Sequence, residues 1–193
     1  MLGLQLETDP RWVDIASKTI EEILIDHAWC EQKAASSGIS LIILFPEKKE
    51  MVEEVSQIVG EEWGHFERVL NELKKRGFEL GPARKDEYVI QVAKLERKGG
   101  SRNTQLMEKL LQAALIEARS CERFKLLYEG LTDPDLKKFY YEFMVSEAGH
   151  YVSFVDLAKK YHPEKVVKDR LAELLQQEAE IIRNLKIRSD RMH

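Results

Sequence analysis

At 193 residues and a formal net charge of −4, the chain is long enough for one well-filled domain over residues 1–193, and nothing in it argues for two. One third of its residues are charged, against ten glycines and five prolines, which excludes a β-sandwich or a disordered tail and points to long amphipathic helices. Two cysteines, Cys30 and Cys121, make no disulfide framework and fit a reduced, cytosolic setting.

In chain order, Glu7 and Asp9 stand within the first ten residues, with no basic start ahead of an apolar core, so no signal peptide is expected and the chain is read as cytoplasmic. Thr8-Asp9-Pro10 is a helix start, with Asp9 as cap and Pro10 at the first helical position. Trp12, Val13, Ala16, Ile20, Ile23, Leu24, His27, Ala28 and Glu31 then follow one helical face. Ser36-Ser37-Gly38 could end this helix, but Pro46 is the firmer stop. Leu41 to Phe45 is the longest apolar run and is too short to span a bilayer, so no membrane partner is expected.

A second helix runs from about Glu47 to Arg76, closed by Gly77. From Phe78 to Arg102 the chain holds Gly81-Pro82 and Gly99-Gly100-Ser101, with a short helical pattern around Tyr88 to Leu95. That is too long for a hairpin loop and reads as a crossover. A third helix starts near Asn103 or Thr104 and reaches about Tyr128. Thr132-Asp133-Pro134 repeats the opening signal and begins a fourth, ending near Tyr161. After Pro163 comes a fifth, about residues 164–186, with Val166, Val167, Leu171, Leu174, Leu175, Ala179 and Ile182 as its apolar stripe. Two hairpins joined by a long connection, over about residues 10–161, plus an additional C-terminal helix, describe an all-α, ferritin-like four-helix bundle.

The chemistry lies in two motifs. Glu62-Trp63-Gly64-His65 and Glu147-Ala148-Gly149-His150 are both Glu-x-x-His, and residues three apart share a helix face. Taken singly, each is more readily a surface pair than a ligand pair. Their placement changes the balance. Glu31 and Glu62 lie 15 to 16 residues either side of the Pro46-Glu47 turn, and Glu117 and Glu147 lie 15 either side of Thr132. At 1.5 Å per residue, each carboxylate falls roughly 23 Å from its turn. Two hairpins thus carry a Glu and a Glu-x-x-His at one level, the pattern of a di-metal bundle. The metal ligands expected are Glu31, Glu62, His65, Glu117, Glu147 and His150. Four carboxylates and two imidazoles suit two iron ions and also admit manganese.

Other residues fit less well. Glu21 and Glu22 break the symmetry, and Glu122 is off level; solvent-facing or supporting charges are their expected roles. His27, four residues before Glu31, is read as a core or hydrogen-bonding group, Cys121 as a small buried filler, and Trp29 and Cys30 as packing. Arg119 and Arg123 are read as internal ion-pair partners. Between Arg68 and Arg102, ten Lys or Arg stand against five Asp or Glu. This basic island is the mark of an anionic partner such as RNA, or equally of a solvated Lys-rich loop.

At these residues the sequence resembles a known family. The runs Asp26 to Ala35, Ile116 to Phe124, Glu62 to Val69 and Ser146 to His150 are similar to the four helical motifs of the bacterial tRNA hydroxylases that act on 2-methylthio-isopentenyl adenosine beside the anticodon, over about residues 10–160 and in the same order. The resemblance implies a non-haem di-iron monooxygenase that hydroxylates an allylic methyl of the prenyl group. It implies the six ligands above, tRNA and dioxygen as partners, and an electron donor that the sequence does not identify. It also implies a basic rim for phosphates drawn from Lys74, Lys75, Arg76, Arg84, Lys85, Lys94, Arg97 and Lys98. Ile39 to Phe45 is more aliphatic than that family suggests, and the last thirty residues match none of its motifs. The rival readings are another ferritin-like di-iron oxidase, peroxidase or iron-storage protein, or a helical interaction module without catalysis.

Overall fold

The helices begin and end where short polar side chains and glycine can satisfy the backbone. In the computed structural model, which describes residues 1–186, 188 and 190–192, every regular element is helical. The chain divides into two compact units, one formed by Ile15–Lys85 with Arg188–Met192, the other by Met1–Asp14 with Asp86–Ile187. Helix α1 (Arg11–Ala16) carries the chain from one to the other.

The expected first helix is interrupted. Asp9 Oδ1 accepts from the Arg11 amide at 2.9 Å, so α1 starts one residue later than Pro10. It ends at Ala16 in a 3₁₀ turn, Ser17–Thr19, where Thr19 leaves helical geometry (φ −131°, ψ 44°). The Thr19 hydroxyl lies 3.5 Å from the Ile15 carbonyl, the local competition that makes Ser and Thr poor helix-interior residues.

Helices α2 (Ile20–Leu44) and α3 (Lys49–Lys75) form the hairpin of the first unit, turning across Phe45 and Pro46. Pro46 is the stop; Ser36-Ser37-Gly38 lies within the helix. Gly38 serves close packing instead, because a Cβ there would fall 2.5 Å from Val59 Cγ2. The buried stripe of α3 runs Met51, Val55, Ile58, Glu62, His65, Val69, Leu73, alternating steps of four and three until its last turn. On α2 it runs Leu24, Ala28, Glu31, Ala35, Gly38, Leu41. Gly77, at φ +76°, closes α3: its amide reaches Lys74 O (3.1 Å) and that of Phe78 reaches Leu73 O (2.9 Å). This paired arrangement needs a left-handed residue, which glycine adopts without strain. The C-terminal segment returns to α2, where the Met192 amide donates to Asp26 Oδ2 at 2.8 Å.

The second unit holds α4 (Glu87–Ala93), α5 (Arg102–Gly130), α6 (Pro134–Tyr161) and α7 (Glu164–Asn184). Asp86, Ser101 and Asp133 cap α4, α5 and α6 through side-chain oxygens, and Pro134 fills the first position of α6. The α6 stripe repeats the α3 pattern: Leu136, Tyr140, Phe143, Glu147, His150, Phe154, Leu157. On α5, Leu110, Ala114, Glu117, Cys121 and Phe124 continue it.

The α7 face differs from the apolar stripe expected of it. Val166 is exposed, Leu171 and Ile182 are half-buried, and Arg170 and Glu178 are buried instead. Each has a charged partner on α5. Arg170 grips Glu108 with Nε and Nη2, both at 2.7 Å, and Nη2 also donates to Leu95 O. Glu178 accepts from Arg119 Nε at 2.8 Å and Nη2 at 2.9 Å. Arg119 further donates to Glu122, Thr8 Oγ1 and Leu6 O, so all its N–H groups are used. These contacts tie the N-terminal segment, α5 and α7 together.

Candidate metal centre

Each hairpin places its acidic and imidazole residues on the buried stripe, at positions an apolar residue would otherwise fill. In the first, Glu31 comes from α2 and Glu62 and His65 from successive turns of α3. His65 Nδ1 lies 3.5 Å from Glu31 Oε2 and 3.7 Å from Glu62 Oε2. Glu62 retains only 1% of its exposure. His27, one turn before Glu31, points Nε2 at Glu31 Oε1 across 2.6 Å, the hydrogen-bonding role expected for it.

In the second, Glu117 comes from α5 and Glu147 and His150 from α6. His150 Nδ1 is 3.8 Å from Glu147 Oε2. One ligand atom from each of Glu117, Glu147 and His150 lies within 4.8 Å of the others, and the same holds for Glu31, Glu62 and His65. All six side chains are buried.

These spacings distinguish ligation from hydrogen bonding. At 3.5 to 3.8 Å the Nδ1–carboxylate pairs are too long for a hydrogen bond. Two donors each about 2.1 Å from one ion stand about 3.0 Å apart at right angles and about 4.2 Å apart across it. The observed separations fall inside that window. The donor set, two carboxylates and one imidazole per triad, fits a divalent cation of intermediate hardness such as iron or manganese.

Neighbouring groups leave this set intact. Burial, with the Glu147 carboxylate adding to it, pushes the Cys121 thiol up to about 12, and its Sγ–H donates to Met144 O at 3.2 Å. Cys121 is thus a neutral filler. Glu21 is exposed, and Glu22 pairs with Arg84. Glu122 is buried and accepts from the Thr8 amide at 2.7 Å, a structural role in place of the solvent-facing or supporting one expected. Arg123 is also not the ion-pair partner expected: its guanidinium lies 4.3 Å from the Trp12 ring centroid, a cation–π contact. Burial, and Arg119 beside it, press its pKa down to about 10.

The basic residues of the expected rim divide between the units. Lys74, Lys75, Arg76, Arg84 and Lys85 belong to the first, and Lys94, Arg97 and Lys98 to the second. The five lysines and Arg97 are exposed. Arg76 is held by Glu72 at 2.6 Å, Arg84 by Glu22 and Asp190, and Arg97 by Glu173 at 2.5 Å. Lys98 lies 2.8 Å from Glu96, Lys75 3.9 Å from Glu72, and Lys94 donates to Gln91 at 3.2 Å. Among the described residues no helix is long and apolar enough to cross a membrane.

A family model described as tRNA-(MS[2]IO[6]A)-hydroxylase (MiaE) matches residues 2–193. A tRNA 2-(methylsulfanyl)-N(6)-isopentenyladenosine(37) hydroxylase of Pseudomonas putida is 38% identical over 157 residues, 81% of this chain and 75% of that protein. A protein of the same description from Salmonella typhimurium is 31% identical over 121 residues, 63% of this chain and 44% of that protein. Among solved structures, protein 43 with aldehyde deformylating oxygenase activity from Synechococcus matches with a TM-score of 0.92 and 34% identity, over 98% of this chain and 94% of that one. The all-α, ferritin-like fold expected from the sequence is borne out by that likeness.

Proposed function

The chain belongs to the tRNA-(MS[2]IO[6]A)-hydroxylase (MiaE) family, and we propose from that premise that it hydroxylates the isopentenyl group of 2-methylthio-isopentenyl adenosine beside the anticodon of tRNA, using dioxygen and electrons from an outside donor. In this reading residues 1–193 act as one domain working on cytoplasmic tRNA. Glu31, Glu62, His65, Glu117, Glu147 and His150 together hold two iron ions, in a donor set that also admits manganese.

One observation carries the reading: in a chain of this family, each hairpin buries a Glu-Glu-His triad at ligand spacing. Amino-acid side chains have no redox chemistry able to oxidise a methyl C–H bond, even an allylic one, so that reaction requires a metal or an organic cofactor. Bound iron would supply the activation of dioxygen. The protein's share is to hold the donors, keep them dry and orient the prenyl group. The stripe residues on either side of the ligands, Ile58 and Val69 on α3 and Phe143 and Phe154 on α6, are all buried and exclude water.

For the polyanionic substrate, Lys74, Lys75, Lys85, Lys94 and Lys98 are the stronger phosphate contacts. Arg76, Arg84 and Arg97 are engaged by internal carboxylates and contribute less. The decisive experiment compares tRNA nucleosides from cells with and without the gene. Loss of the hydroxylated nucleoside on deletion, with the plain prenylated form accumulating, is the expected result. An unchanged ratio, with the substrate nucleoside present, refutes the assignment.

A further inference from the structure

We infer that His27 is a positioning residue that fixes which oxygen of Glu31 faces the metal; this rests on the di-metal reading above. His27 is fully buried, and its Nε2 sits 2.6 Å from Glu31 Oε1. A carboxylate that ligates a metal is ionised and can only accept, so in the metal-loaded site the imidazole donates. The other oxygen, Oε2, is the one 3.5 Å from His65 Nδ1. The two oxygens of Glu31 therefore have separate tasks. Turning the carboxylate to offer both to an ion would break a short, buried, charge-assisted hydrogen bond.

The second hairpin carries no imidazole one turn before its first ligand. The position one turn before Glu117, equivalent to His27 before Glu31, is Ala113, whose methyl cannot hydrogen-bond. Sequence spacing is otherwise matched between the hairpins. Glu31 is held to one oxygen by its own helix, a hold that the Ala113 methyl cannot give Glu117. Hydrogen-bonded partners of ligating groups are worth about 10–100-fold in metal affinity.

The test uses the full chain, freed of metal and titrated with Mn(II), with affinity and stoichiometry followed by electron paramagnetic resonance and elemental analysis. Wild type should bind two ions. His27→Ala should weaken one of the two about 10–100-fold and alter its resonance signal while leaving the other in place. His27→Gln, which can still donate an N–H, should recover most of the loss. Melting of each metal-free variant monitors the fold. Two unweakened sites in His27→Ala, equal weakening of both, or a Gln variant no better than Ala overturns the inference and leaves the di-metal reading standing. A wild-type chain that binds fewer than two ions overturns that reading and the inference with it.

Discussion

Replacing Arg119 by Met should cost about 3–5 kcal/mol, because it keeps the apolar stem and removes the charge that two buried carboxylates face. Arg119 is 0% exposed, and its guanidinium is shared among Glu178, Glu122, Thr8 Oγ1 and Leu6 O. Glu122 keeps two bonds from Thr8 after the substitution, at 2.7 and 2.6 Å, so most of the penalty falls on Glu178. Among the described residues, Glu178 then keeps only the Tyr88 hydroxyl, at 3.3 Å. Arg119→Met/Glu178→Met should recover about 2 kcal/mol or more relative to the sum of the single changes, since the pair is then exchanged for packing. Urea denaturation of the metal-free chain at pH 7 measures each corner of the cycle.

The pH dependence gives an independent check on the same carboxylate. Burial raises the Glu178 carboxyl above its usual range, against the downward pull of Arg119. Without Arg119 it rises further. A group whose folded pKa is raised contributes stability below its unfolded value and loses it as pH climbs through the folded one. The deficit of Arg119→Met should therefore be smaller near pH 5 than near pH 8. A variant within 1 kcal/mol of wild type, an additive cycle, or a deficit that grows on acidification refutes the account.

Gly130→Ala should destabilise by about 1–3 kcal/mol, because its Cβ would fall 2.6 Å from Val13 Cγ2, and Val13→Ala should restore most of the loss on denaturant titration. Gly64→Ala and Gly149→Ala should each stabilise by up to about 1 kcal/mol in the same assay, since a Cβ at either meets nothing within 4 Å and glycine is costly inside a helix. Cys121, held neutral up to about 12, should resist a thiol reagent at pH 8 until urea is added; prompt labelling in the folded chain would contradict its burial.

The triads were legible because their signals are local and repeated. Glu62 and His65 share a face by spacing alone, and equal distances to a Pro-marked turn set their level. Pairings distant in sequence left no such trace. Arg97 reads as a phosphate ligand within a basic run, yet Glu173, 76 residues on, takes it. Arg170 and Glu178 break the apolar stripe of α7, and nothing in local spacing points to their partners on α5, Glu108 and Arg119. The break after Ala16 hinges on one Thr conformation inside a strong helical periodicity, which outweighs it in any reading of spacing. Arg123 shows the same limit: its partner is a ring, Trp12, and not the carboxylate that charge alone would suggest.

Charge balance separates structure from chemistry in this chain. Where the fold buries carboxylates to join elements, it sets a guanidinium against them: Arg119 lies between Glu122 and Glu178, and Arg170 faces Glu108. The triads follow another rule. Each sets two buried carboxyl groups beside imidazoles, with no arginine or lysine among its members. Apolar residues at those stripe positions would pack as well and cost less, as Ile58 and Val69 do beside Glu62 and His65. Burying two carboxyl groups side by side costs stability in the metal-free chain. A bound cation offsets that cost through linkage, since it binds the folded state and has no assembled triad to bind in the unfolded one.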